Sequence, residues 1–155
     1  MSSGSTGSSF LLNPRAPDGT GVLVNGYFEP GKTVAFPPAV NEAMLTRLGP
    51  APDKKTAEPF GAVVGWAQRA LREYVLPEVR PDVVIDWITE PDHSQHGHGV
   101  GSPAARHALR NADEEVARVL AMLDPASTDV FVVSDHGFTV NAAGVDVTRA
   151  LVEAG

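Results

Sequence analysis

The stretch that decides the reading is EPDHSQHGHGVGSP, residues 90–103. It sets Asp92, His93, His96 and His98 in seven residues, and His107, the fourth of five histidines, follows shortly after. Three readings are open for such a run: a solvated polar loop, a purification artefact, or a set of metal ligands. The flanking segments bear on the choice. DVVIDWI (82–88) precedes it, short, β-branched and mostly apolar, the pattern of a strand buried on both faces. Ser102-Pro103 follows, a hydroxyl cap and then proline at the first helical position. Leu109, Ala112, Val116, Val119, Leu120 and Leu123 then form one apolar helical face, with Arg106, Arg110, Asp113, Glu114 and Arg118 off it. Asp124-Pro125 stops this helix. TDVFVVS (128–134) reads as a second buried strand, with Asp135-His136-Gly137 at its carboxyl end.

Strand, loop, helix, strand is a βαβ unit spanning about 82–134. Its connection is expected to be right-handed and its strands parallel. Parallel strands end at the same edge of the sheet, where ligands of open α/β sheets bind. The loop carrying Asp92, His93, His96 and His98 is therefore expected to face the turn carrying Asp135 and His136. The fold class is α/β, a mostly parallel sheet flanked by helices.

Imidazole and carboxylate are the ligands of a cysteine-free zinc site. Asp92 and His96 are four residues apart, with little bulk between them. Asp135 and His136 are adjacent and converge only at a strand-end turn, since strand neighbours point to opposite faces. Two such pairs suit two ions, the arrangement that serves phosphoryl displacement. The bland alternatives are specific. Asp92 and His96 are otherwise polar loop residues, and Asp135-His136 a cap and turn. His98 is a ligand, a donor behind the ligands, or solvated. His93 points away or orients a neighbour, and His107 is a surface residue. Ser134-Asp135-His136 is not a hydrolase triad, because that relay needs residues brought from separate segments.

Composition narrows the classes. The chain has 155 residues, enough for one domain and a real core. A net charge of −7 argues against a nucleic-acid backbone binder. An acidic protein handling phosphate needs cations to reverse its local field. The absence of cysteine removes disulfides and thiolate sites. No apolar run is long enough for a membrane span. MSSGSTGSS, residues 1–9, lacks the features of a signal peptide, so the sequence assigns no compartment. Residues 1–57 form an irregular variable segment, and 58–155 carry the α/β core portion. Within the first, SFLLN (9–13) and GVLVNGYF (21–28) read as short strands, and Val40–Leu48 as a helix closed by Gly49-Pro50. Within the second, a helix opens at Glu58-Pro59, carries Val63, Val64, Ala67, Ala70, Leu71 and Tyr74 at helical spacing, and ends at Pro77 and Pro81. Residues 145–154 read as a last amphipathic helix.

EPDHSQHGHGVGSP, a long helix and then DVFVVSDHGF together resemble the type I phosphodiesterase/nucleotide pyrophosphatase family of the alkaline phosphatase superfamily. The resemblance is carried by residues 78–138. It implies a mostly parallel sheet with two divalent ions, zinc foremost, at its carboxyl edge. Carried over, Asp92 and His96 bind one ion and Asp135 and His136 the other. A threonine or serine nucleophile attacks phosphorus in that family, and the substrate is a small phosphodiester or nucleotide. The nucleophile, the first-strand aspartate and the last histidine ligand have no counterpart in this sequence. The chain therefore reads as an internal fragment with little turnover alone, whose exposed sheet edge favours self-association. The competing readings are an inert metal-binding remnant of the fold and an unrelated hydrolase chelating through His96 and His98.

Overall fold

The computed structural model describes residues 12–25, 34–53, 61–140 and 144–155. After a 3-10 turn at Ala16–Asp18 come β1 (Leu23–Val24), β2 (Ala35–Phe36), α1 (Pro38–Leu48) and α2 (Gly61–Ala70). α2 widens into π-helical turns over Leu71–Val79, and α3 (Asp92–His98), α4 (Pro103–Leu120) and α5 (Val147–Ala154) follow. Residues 1–9, most of the first expected strand, the end of the second and the Glu58-Pro59 helix start lie outside the described residues.

β1 and β2 pair antiparallel, Leu23 opposite Phe36 and Val24 opposite Ala35. The pair is tied to α1 by Asn41, whose Oδ1 accepts from the Val34 and Ala35 amides at 2.8 and 3.2 Å. α1 has proline in its first turn and ends at Gly49, whose φ of 78° suits a residue without Cβ. The core lies where α1, β1, β2 and α2 meet. Met44, Val24, Val34, Trp66, Ala70, Leu71 and Val75 are buried there, and the Trp66 indole N–H donates to the Gly49 carbonyl at 3.3 Å.

Pro77 does not end its helix, contrary to the sequence expectation. It sits inside the π-helical turns, which close at Arg80 with a hydrogen bond from the Arg80 amide to the Val75 carbonyl at 3.1 Å. Proline removes a donor and crowds the preceding turn, and a widened ladder tolerates both better than a regular α-helix does. The buried face of α4 also differs from the expected one. Ala105, Ala108 and Ala112 are buried, whereas Leu109 and Leu120 are exposed. Small residues let α4 approach α2 closely: a Cβ on Gly61 would stand 3.4 Å from the Asn111 amide nitrogen. Arg72 and Glu115 form a largely buried ion pair at 3.0 Å across the same junction.

The largest correction concerns the sheet. Among the described residues the only sheet is the antiparallel pair β1–β2, and the parallel βαβ ladder is not seen. Residues 128–134 carry no strand pairing among the described residues, 82–88 only a single bridge at Trp87, and both runs are mostly exposed rather than buried on both faces. A parallel strand is buried only when neighbours flank it and helices cover both faces. No described element covers Val130–Val133 in that way. The sequence pattern registers the need for such a cover but not its presence.

Two substitutions test this packing. Met44 is fully buried, so Met44→Ala is expected to lower stability by about 2–5 kcal/mol in urea unfolding. Asp86 is the second. Gln68 Nε2 donates to Asp86 Oδ2 at 2.7 Å, while Gln68 Oε1 is buried without a partner. Burial raises the Asp86 carboxyl above its ordinary range, against the opposing hydrogen bond from Gln68. A raised carboxyl pKa means the fold holds the proton more tightly than the unfolded chain. Its contribution is therefore present at low pH and lost as pH rises through the raised value. Solvent reaches the rest of this exposed residue and keeps the effect small. Asp86→Asn is expected to raise the urea midpoint at pH 7, the gain disappearing below about pH 4. An equal gain at both pH values would show that the carboxyl's ionisation is not its source.

Candidate functional site

The segment after Glu90 is not an open loop. Asp92–His98 forms a short helix, α3, which corrects the loop expected from its glycines. Helical geometry brings Asp92 and His96 together, because residues i and i+4 share a face. Asp92 Oδ1 lies 3.6 Å from His96 Nε2 on that face. His98, two residues beyond His96, is set on another part of the helix surface and is exposed, as is His93. His107 is a surface residue on α4, as expected, with its Nε2 3.2 Å from the Asn111 amide nitrogen.

Glu90 holds α3 in place. Its side chain is buried, Oε2 accepting from the Ser94 amide at 3.1 Å and Oε1 from the Ser94 hydroxyl at 3.0 Å. One carboxylate thus satisfies an otherwise unpaired first-turn amide and adds negative charge at the positive end of the helix. The chain then turns through Gly99 and Gly101, both at positive φ (88° and 71°), into α4. There Ser102 Oγ accepts from the Ala105 amide at 3.1 Å, the expected cap.

The second half of the site is the turn after residue 134. The Ser134 hydroxyl donates to the His136 carbonyl at 2.6 Å, so it ties the turn instead of facing the imidazole as a nucleophile. The His136 amide donates to Asp135 Oδ1 at 3.1 Å. His136 Nδ1 lies 3.0 Å from the Gly137 carbonyl, a contact that places the ring proton on Nδ1. Nε2 is then the free nitrogen. It lies 3.5 Å from Asp92 Oδ1 and 3.9 Å from Asp135 Oδ2. The hydrogen bond to Gly137, with the charges of Asp135 and Asp92, raises the His136 pKa above its ordinary value.

Asp92, His96, Asp135 and His136 are therefore brought together as pairs, linked through Asp92 and His136. Asp92 Oδ1 is buried and has no hydrogen-bond partner, although two imidazole nitrogens face it. The four side chains do not close round one centre: among the described residues no group of three or more is arranged to hold an ion. Phe138 packs against both rings, edge-on to His96 at 4.9 Å between centroids and tilted to His136 at 5.3 Å. The sequence reading missed Glu90, Ser94 and Phe138. The Glu90–Ser94 spacing, four residues across a helix start, was the available signal for the first two. Phe138 had none, because only tertiary contact sets it between the histidines.

The family profile described as type I phosphodiesterase/nucleotide pyrophosphatase matches residues 13–155. The chain belongs to that family. Its members are phosphodiesterase and pyrophosphatase-type hydrolases. The match extends well beyond the residues that carry the sequence resemblance, reaching back into the irregular first third. Comparisons with curated proteins and with solved structures give no match. No helix among the described residues is long and apolar enough to cross a membrane.

Glu90→Ala is expected to weaken the start of α3 by about 1–2 kcal/mol, as loss of a helix cap does. Amide exchange at Ser94 reads this directly and is expected to quicken at least tenfold. Unchanged protection there would mean that the carboxylate does not cap the helix.

Proposed function

We propose that this chain contributes the metal-binding part of a phosphodiester or pyrophosphate hydrolase site, with Asp92, His96, Asp135 and His136 as its ligands. The observation that carries the reading is the buried Asp92 oxygen, which lacks a donor while two imidazoles face it. A buried anionic acceptor without a donor is costly, and an ion is one of the few groups that relieves it. His136 supports the same conclusion. Its free Nε2 lone pair faces two carboxylates, an arrangement favourable only with positive charge between them, a proton or a metal ion. Imidazole nitrogen with carboxylate oxygen is a donor set that suits zinc, and equally manganese or iron.

Following the family's pattern, Asp92 and His96 serve one ion and Asp135 and His136 a second, on an alkaline-phosphatase-like fold. Such ions, when bound, neutralise charge developing on the phosphoryl oxygens. The protein's own groups prepare the site. Glu90 orients the helix bearing Asp92 and His96. The Gly137 carbonyl orients the His136 ring, and Phe138 fills the space between the two imidazoles. The substrate class is a small anionic phosphodiester or nucleotide. The His96–His98 chelate is disfavoured, because residues two apart on a helix do not share a face.

Zinc titration by calorimetry at pH 7.5 tests the ligand set. Asp92→Ala and His136→Ala are each expected to weaken binding at least tenfold, while His98→Ala leaves it unchanged. Wild-type affinity in Asp92→Ala would remove the ligand assignment. A chromogenic phosphodiester in the same solutions separates hydrolase from inert metal-binding module: zinc bound at these residues without product release favours the latter.

A further inference from the structure

Asp135 and His136 are carried on a turn whose described hydrogen bonds close on themselves. The Ser134 hydroxyl donates to the His136 carbonyl, the His136 amide to Asp135 Oδ1, and His136 Nδ1 lies 3.0 Å from the Gly137 carbonyl. These bonds set the shape of the turn and not its position on α3. The turn meets α3 at His136 and at Phe138. His136 Nε2 lies 3.5 Å from Asp92 Oδ1, too long for a hydrogen bond. With Asp135 Oδ2 3.9 Å from the same nitrogen, that contact gathers two carboxylates, which repel each other. The Phe138 contact is neutral. Its ring lies 4.9 Å from the His96 ring between centroids, with the planes at 73°, the edge-to-face arrangement that aromatic pairs prefer. It also tilts against His136 at 5.3 Å. Burial singles out the same residue: of residues 129–140, Phe138 alone is not exposed.

We propose that Phe138 is a positioning residue: its ring docks the 135–138 turn on His96 and so sets His136 against Asp92 before any ion arrives. The ring touches one imidazole from each pair, Asp92–His96 and Asp135–His136, and joins two halves that are distant in sequence. A neutral contact suits this work, because it adds no charge to a cluster of acids and is not screened by salt. Phe138 has no donor atom to offer an ion and acts only through the two imidazoles. Groups held in place beforehand lose less freedom when a ligand binds, so the ring raises ion affinity without coordinating. That effect on ion binding rests on the ligand assignment made above; the docking itself does not.

Histidine ring signals in the nuclear magnetic resonance spectrum of the metal-free chain read the docking. Asp92→Asn is expected to shift the His136 ring protons in the wild type and to leave them in place in a Phe138→Ala background, where the turn no longer rests on α3. Phe138→Tyr keeps the ring and is expected to keep the response. An equal shift with and without the Phe138 ring, or none in the wild type, overturns the proposal. The core lies elsewhere, among α1, α2 and the β1–β2 pair, so far-ultraviolet circular dichroism is expected to stay unchanged in these variants. Zinc calorimetry is the second arm. Phe138→Ala is expected to weaken binding about three- to tenfold, the size of an aromatic pair contact, and Phe138→Tyr to stay within about twofold of wild type. Zinc bound equally by wild type and Phe138→Ala overturns the proposal. A wild-type chain that binds no zinc but shows the His136 response removes the ligand assignment and supports the docking role.

Discussion

A single carboxylate oxygen, Oδ1 of Asp92, sits out of solvent with no hydrogen-bond donor and with imidazole nitrogens 3.5 and 3.6 Å away. Both separations are too long for a hydrogen bond. Isolated, such an oxygen is an electrostatic liability of a kind folded proteins rarely keep. Much of the surrounding structure maintains it. Glu90 binds Ser94 twice and fixes the helix that carries Asp92 and His96. The Gly137 carbonyl engages His136 Nδ1 and leaves Nε2 pointing at the acid. Phe138 touches both rings. These contacts hold both imidazoles close to the acid.

The molecule is divided between a well-packed part and an open one. α1, α2, the π-helical turns and the β1–β2 pair share a core in which Met44, Leu71 and Val24 are fully buried. Ion pairs and hydrogen bonds such as Arg47–Glu78 and Asn41–Val34 join these elements at their junctions. The far side of the site is different: apolar segments reach the same small cluster of acids and histidines yet remain largely uncovered. The acid–histidine cluster and the exposed apolar runs therefore meet at one place.

The local readings that succeeded have local causes. Ser102-Pro103 opens α4 because a hydroxyl cap and a proline act within one turn. Residues 147–154 form a helix capped by Asp146, inside the span their periodicity marked out. The failures all involve distant partners. The α4 face turned from leucines to alanines because α2 approaches closely there. Pro77 stayed inside a helix because the turns around it are π-helical. The runs 82–88 and 128–134 have the composition of buried strands, but composition cannot supply the neighbours that make a strand a sheet.

Residue order marks Asp92, His96, Asp135 and His136 as candidates, since donor chemistry and short spacing are written along the chain, and the family match agrees with the resemblance read from the same residues. Folding in three dimensions decided that Asp92 faces both histidines, that Glu90 and Phe138 support them, and that the neighbouring apolar runs stay bare. The physical reason is range. Capping, helical spacing and donor type act over a few residues, whereas desolvation of one oxygen and cover for one strand depend on atoms about forty residues away.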